Sequence, residues 1–111
     1  MTRALLTLNL KDDPAVISEY RYHHAHIWPE VAASLRNSGI ETMEIFLIGR
    51  RLVMVVESDG RDLNHAFATH HASADARVLE WEALMKAMQE PVAEARPGEW
   101  WARMEQVFSL A

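Results

Sequence analysis

Residues Ala4 to Leu10 alternate, with Leu6, Leu8 and Leu10 on one side and Leu5, Thr7 and Asn9 on the other. That period of two predicts a first strand. Lys11-Asp12-Asp13-Pro14 ends it, and Asp13 before Pro14 has the form of a helix start, with a carboxylate N-cap and proline at the first helical position. Beyond Pro14 the spacing turns helical: Val16, Tyr20, His24 and Ile27 recur at steps of four and three and share one face. Pro29 pushes Trp28 out of helical geometry, so this helix is expected to end or kink near Ala25 to Trp28. A second helical piece is expected from Pro29 to Ser38, stopped by Gly39.

Met43–Ile48 and Leu52–Glu57 are short apolar segments rich in β-branched residues, and Gly49-Arg50-Arg51 between them reads as the loop of a hairpin. Asp62 is expected to cap a helix from Leu63 to His70, and Ser73 another that runs to Met88, with Leu79, Leu84, Met85 and Met88 on its apolar face and Trp81 beside them. Trp101 to Leu110 alternates Met104, Gln106, Phe108 and Leu110 against Glu105, Val107 and Ser109, which predicts a last strand. The order strand, helix, strand, strand, helix, strand is that of an α+β chain with a ferredoxin-like split βαβ, a four-stranded antiparallel sheet with helices on one face. Residues 1–111 are read as a single domain. The strands are apolar on both sides, too apolar for the bare sheet face to meet water, so a homodimer is expected.

Composition narrows the partners. A formal net charge of −5 argues against nucleic acid, which needs a basic patch. The absence of cysteine removes disulfides and thiolate metal sites. No apolar run approaches the roughly 18 residues of a membrane helix, and no signal peptide is recognised, so a cytoplasmic protein without membrane contact is expected.

Glu19-Tyr20-Arg21-Tyr22-His23-His24-Ala25-His26-Ile27-Trp28-Pro29-Glu30 concentrates three of the six histidines with tyrosines, a tryptophan and a proline. His23 and His24 diverge by about a hundred degrees on a helix. No His-Glu-x-x-His pattern occurs, and no metal site is expected. A lone histidine on an apolar face is more often a hydrogen-bonded core residue than a catalyst. Here Tyr20 lies one turn before His24 and Trp28 one turn after, and phenol, imidazole and indole together make a pocket wall with a titratable centre. His70-His71 reads as a solvated helix end. Trp81 alone reads as core, and Trp100-Trp101 as a cap on the sheet or the lining of a dimer seam. No phosphate loop, nucleophile elbow or dinucleotide fingerprint is present.

The pattern Tyr20-x-x-x-His24-x-x-Ile27-Trp28-Pro29-Glu30 resembles the first-helix signature of the L-rhamnose mutarotases and their L-fucose-handling relatives. The likeness extends to the Gly39 turn, Glu44-Ile45-Phe46-Leu47, Trp81 and Glu105-Gln106-Val107-Phe108-Ser109-Leu110. The resemblance implies a dimeric α/β barrel of ferredoxin-like chains, no cofactor, and interconversion of the α and β anomers of a free 6-deoxy-aldose. It implies that His24 is the proton-transferring residue, Tyr20 a substrate-binding phenol and Trp81 a sugar-stacking indole. Trp28 and Glu30 would stand behind them, Glu30 orienting His24. Two positions depart from the rhamnose-type pattern. Met43 stands where those members resemble one another in having tyrosine, and Glu82 stands where they have a second tryptophan. Both positions would touch the sugar, so L-fucose stands beside L-rhamnose as a candidate, and Glu82 becomes a candidate hydroxyl acceptor or partner base. The rival readings are a non-catalytic sugar-binding module and a cofactor-free monooxygenase-like member of the same fold.

Overall fold

The computed structural model describes residues 2–110. Strand β1 (Arg3–Leu10) leads into helix α1 (Pro14–Ala25), then α2 (Pro29–Ser38), β2 (Ile40–Ile48), β3 (Arg51–Ser58), α3 (Leu63–His71), α4 (Ala76–Met88) and two short strands, β4 (Gln89–Glu90) and β5 (Ala102–Arg103). The sheet is antiparallel with the order β2-β3-β1-β4, and β5 also pairs with β1.

The helix boundaries follow from local chemistry. Asp13 caps α1 by accepting from the Ala15 amide at 2.9 Å, with Pro14 in the first turn. Trp28 is extended ahead of Pro29, which separates α1 from α2. Gly39 closes α2 at φ 110°, a left-handed conformation that only glycine adopts without strain. Asp62 caps α3 as expected, accepting from the His65 amide at 3.1 Å. The cap of α4 is Asp75, not Ser73: Asp75 accepts from Arg77 at 2.8 Å, while the Ser73 hydroxyl accepts from the Asp75 amide at 3.2 Å and caps the turn before it. The hairpin loop is two residues, Gly49 and Arg50, because Arg51 already pairs with Ile48. Gly49, at φ 58°, takes the first central position, where such a turn needs glycine.

All four helices lie on one face of the sheet. Leu6, Leu8 and Leu10 of β1 pair across or pack beside Leu52, Met54 and Val56 of β3, and Met43, Ile45 and Leu47 of β2 continue that face. One cluster gathers Leu6, Ile40, Met54, Val56, Leu63 and Ala66 under α3; a second gathers Leu10, Tyr20, Val31, Leu52, Trp81 and Met85 under α1 and α4. The opposite face carries Leu5, Val53 and Val55, with Phe46 and Ile48 exposed.

The long last strand expected over Trp101 to Leu110 is corrected to two residues. In the antiparallel register set by Leu6 opposite Arg103, Gln106 would come level with Arg3, where β1 begins. The alternation therefore continues past the end of its partner, and Val107, Phe108 and Leu110 project into solvent from a chain without regular structure. The edge place beside β1 is divided. If β4 simply continued, Thr7 would face residue 92; it faces Ala102 instead. The intervening chain leaves the sheet and delivers Trp100 and Trp101 to the helical face.

Leu52 is wholly buried opposite Leu8 at the centre of this packing. Leu52→Ala is expected to lower unfolding stability by roughly 2–5 kcal/mol, read as a shift of the urea midpoint at an unchanged m-value.

Candidate functional site

Between the two core clusters the helices do not close on the sheet, and a cavity of about 470 Å³ remains. That is within the range of small-molecule sites. Its wall includes Tyr20, His24 and Ile27 from α1, Met43 and Ile45 from β2, His70 and His71 from α3, Trp81 and Glu82 from α4, and Trp100 and Trp101 from the looped-out chain.

Tyr20, His24 and Trp81 form one aromatic unit. His24 stacks on Tyr20 with centroids 4.1 Å apart, and meets Trp81 edge-on at 5.4 Å. Trp28 stands behind Trp81 at 5.2 Å and is covered in turn by the Arg77 guanidinium at 3.7 Å. Trp81 is core and cavity wall at once, 4% exposed.

The His24 tautomer follows from its helix. Nδ1 lies 3.0 Å from the Tyr20 carbonyl, which only accepts, so Nδ1 carries the proton and donates. Nε2 is left with a lone pair and has no hydrogen-bond partner among the described residues. Burial lowers the His24 pKa below its ordinary value, and the neighbouring His23 adds to this against the Tyr20 hydrogen bond. His24 is therefore a neutral imidazole at pH 7. Burial pushes the Tyr20 hydroxyl up to about 12 despite its bond with Gln89, and the charge of Glu82 pushes the same way. Tyr20 stays a donor.

The opposite wall is ionic. Glu82 Oε1 lies 2.8 Å from His70 Nε2, and Glu82 Oε2 lies 3.5 Å from His71 Nε2. His70 Nδ1 is 2.8 Å from the Ser34 hydroxyl on α2. Burial alone would raise the Glu82 carboxyl, but the hydrogen bonds and charges of His70 and His71 outweigh it and hold the group at about 2. His70, His71 and Glu82 place three ligand-type atoms within 4.8 Å of one another. The His70–Glu82 separation of 2.8 Å is that of a direct hydrogen bond; donors around a tetrahedral ion stand roughly 3.3 Å apart. His70 is satisfied by its bonds to Glu82 and Ser34.

Of the residues singled out in the sequence, Tyr20, His24, Met43, Trp81 and Glu82 line one cavity, and Trp28 backs Trp81. Glu30 does not meet His24: it is turned to Arg77 at 3.9 Å, while the bond that orients His24 comes from the backbone of its own helix. His23 pairs with Glu19 at 3.5 Å, and His26 stacks on Tyr22 at 4.4 Å; neither lines the cavity. The reading of His70-His71 as a solvated helix end is corrected. His71 is exposed, but His70 is 2% exposed and part of the wall. The signal was present: Leu63, Ala66 and His70 fall at steps of three and four, all buried on one face of α3. Trp100 also lines the cavity, its Nε1 donating to Gln89 at 2.8 Å.

Both shifts make folding sensitive to acid. Glu82 binds its proton near 4.5 when unfolded and near 2 when folded, so its contribution is complete above pH 4.5 and lost as pH falls toward 2. His24 acts in the same sense at higher pH, because the unfolded imidazole takes a proton near 6.5 and the folded one resists it. Urea midpoints measured between pH 7 and pH 2 are expected to fall with acid, and to fall less steeply below pH 4.5 in Glu82→Gln.

Comparison with known proteins bears on this geometry. The model of the L-rhamnose mutarotase family matches residues 3–110. An L-fucose mutarotase of Xanthomonas campestris pv. campestris is 40% identical, over 100% of this chain and 90% of that protein. An L-rhamnose mutarotase of Burkholderia orbicola is 29% identical, over 95% of this chain and 96% of its own. Among solved structures, L-rhamnose mutarotase from Formosa agariphila superposes over all of both chains with a TM-score of 0.68 at 19% identity, a likeness of fold. A family match running along nearly the whole chain, with a 40% identical relative covered over most of its length, places this protein in the L-rhamnose mutarotase family.

Proposed function

We propose that the protein interconverts the α and β anomers of free L-fucose, with His24 as the proton-transferring residue. The observation that carries this reading is the unbonded Nε2 of a neutral His24 on the wall of a cavity that also presents an indole, a phenol and a carboxylate. Mutarotation requires little more. A proton leaves the C1 hydroxyl, its electron pair forms the C1 carbonyl, the C1–ring-oxygen bond breaks, and the ring oxygen takes a proton. The freed aldehyde turns about the C1–C2 bond and the same steps run backwards. The two oxygens concerned are bonded to one carbon, so a single imidazole is within reach of both. His24 takes the proton from C1–OH at Nε2 and returns it to the ring oxygen.

The other walls bind. Trp81 gives the apolar face of the sugar a flat surface. Tyr20, held protonated, donates to a hydroxyl. Glu82 has a pKa too low for it to act as an acid near neutrality, and it serves as a hydroxyl acceptor. Met43 gives the 6-deoxy methyl an apolar neighbour. The choice of L-fucose over L-rhamnose rests on the Xanthomonas relative and on Met43 and Glu82, which change the polar groups that read the ring hydroxyls.

The working unit is a homodimer. Phe46 and Ile48 are 57% and 79% exposed on the bare sheet face, and Val107, Phe108 and Leu110 are at least 74% exposed just past the sheet edge. A second copy laid on that face buries both sets together. With no cysteine, nothing in the chain depends on oxidation, and we place it in the cytoplasm.

Saturation-transfer NMR at the anomeric proton tests the reaction. Exchange of L-fucose is expected to accelerate with the protein, and that of L-rhamnose less; no acceleration of any free aldose would overturn the reading. His24→Ala is expected to lose about 10²–10⁴ of the acceleration while its circular dichroism is retained. Light scattering is expected to give twice the chain mass.

A further inference from the structure

His70 has no place in the reaction as described, yet it is the most completely engaged titratable group in the cavity wall. It is 2% exposed, and both ring nitrogens are bonded at 2.8 Å, to Ser34 on α2 and Glu82 on α4. We propose that His70 is a positioning residue: braced by Ser34, it holds the Glu82 carboxylate against the cavity wall by one oxygen, leaving the other to accept a hydroxyl of the sugar. The proposal rests on the mutarotase reading and gives Glu82 its part in it.

The geometry distinguishes the two carboxylate oxygens. Oε1 takes the short bond to the buried His70. Oε2 faces His71 at 3.5 Å, beyond a good hydrogen bond, and the His71 side chain is 57% exposed. The loosely held oxygen is the one available to a ligand. The Ser34 hydroxyl makes the brace tolerant of protonation state. It donates to Nδ1 when His70 is neutral and accepts from it when His70 is charged, so Nε2 keeps its proton and its bond to Glu82 in both states. Three helices, α2, α3 and α4, are joined through this one ring.

Other charged and titratable groups share the cavity: Tyr20 and His24 on α1, Lys86 on α4, Glu99 on the looped-out chain and Arg103 on β5. None of these hydrogen-bonds Glu82; its bonded or paired partners among the described residues are His70 and His71. Loss of His70 therefore leaves burial opposed only by the weaker His71 contact, and the carboxyl should take up a proton at higher pH.

Three variants of the full chain test this, His70→Leu, His70→Gln and Ser34→Ala, each checked for folding by circular dichroism. Gln keeps an N–H donor near the position of Nε2; Leu keeps bulk alone. Two measurements are made. The Glu82 carboxyl is titrated by ¹³C NMR, assigned with Glu82→Gln, and KM and kcat for L-fucose exchange are followed from pH 4.5 to 8. In His70→Leu the Glu82 titration is expected to move up by about three pH units or more, and KM to rise at least twofold at pH 5 but less at pH 8. His70→Gln is expected to restore most of both, and Ser34→Ala to give a smaller shift in the same direction. A titration and KM profile unchanged in His70→Leu, or a loss of activity equal at every pH, would overturn the proposal. If His70→Leu does not fold, an unshifted carboxyl in Ser34→Ala together with a shifted one in His70→Gln would do so. The NMR titration needs no sugar, so failure of the wild-type protein to accelerate any anomer exchange would sink the mutarotase reading without obscuring whether His70 holds Glu82.

Discussion

Trp81 is the contact on which the site depends. It is buried where α4 crosses α1, with His24 and Trp28 meeting it edge-on at 5.4 and 5.2 Å. A ring of this size carries one of the larger single burials available to a small domain. Because one of its partners, His24, also lines the cavity, the fold cannot relax at Trp81 without moving His24. Stability and site geometry are the same contact.

The electrostatics follow from where that contact puts each group. His24, pressed between Tyr20 and Trp81, is too poorly solvated to hold a proton at neutrality, and its own helix carbonyl fixes which nitrogen is free. Glu82 is also partly withdrawn from water, but it faces two imidazoles and stays ionised. Tyr20, shielded more completely and near that negative charge, keeps its proton. Burial favours the neutral form of all three, and only at Glu82 do the neighbours reverse it. The result is a lone-pair acceptor, an anion and a donor around one cavity, a set suited to a polyhydroxylated molecule whose ring opens and closes with the help of proton transfer.

Much of this was legible along the chain. The Asp13-Pro14 start of the first helix, the break at Trp28-Pro29, the Gly39 stop and the hairpin around Gly49 are local events, governed by residues within a few positions of one another. The face shared by Tyr20 and His24 is helical periodicity, and both residues line the cavity. Where reading failed, a distant partner decided. The alternation from Trp101 to Leu110 has strand character, but β1 ends before it does. Glu30 lies near His24 in sequence and yet faces Arg77 of α4, because the break at Trp28-Pro29 puts it on a different helix from His24.

The sequence by itself determined the types of the elements up to α4, the caps of α1 and α3, the break at Trp28-Pro29, the apolar faces and the family, since each is written in short-range spacing or in a pattern running the length of the chain. Only the tertiary structure decided that Ser34, His70 and Glu82, carried on three different helices, form one hydrogen-bonded line, and that the edge place beside β1 is split so that Trp100 and Trp101 reach the cavity. The physical reason is the same in both cases. Periodicity says which side of an element is buried, but a hydrogen bond needs two atoms within about 3 Å of each other, and that is fixed by how helices pack across a sheet rather than by any order along the chain.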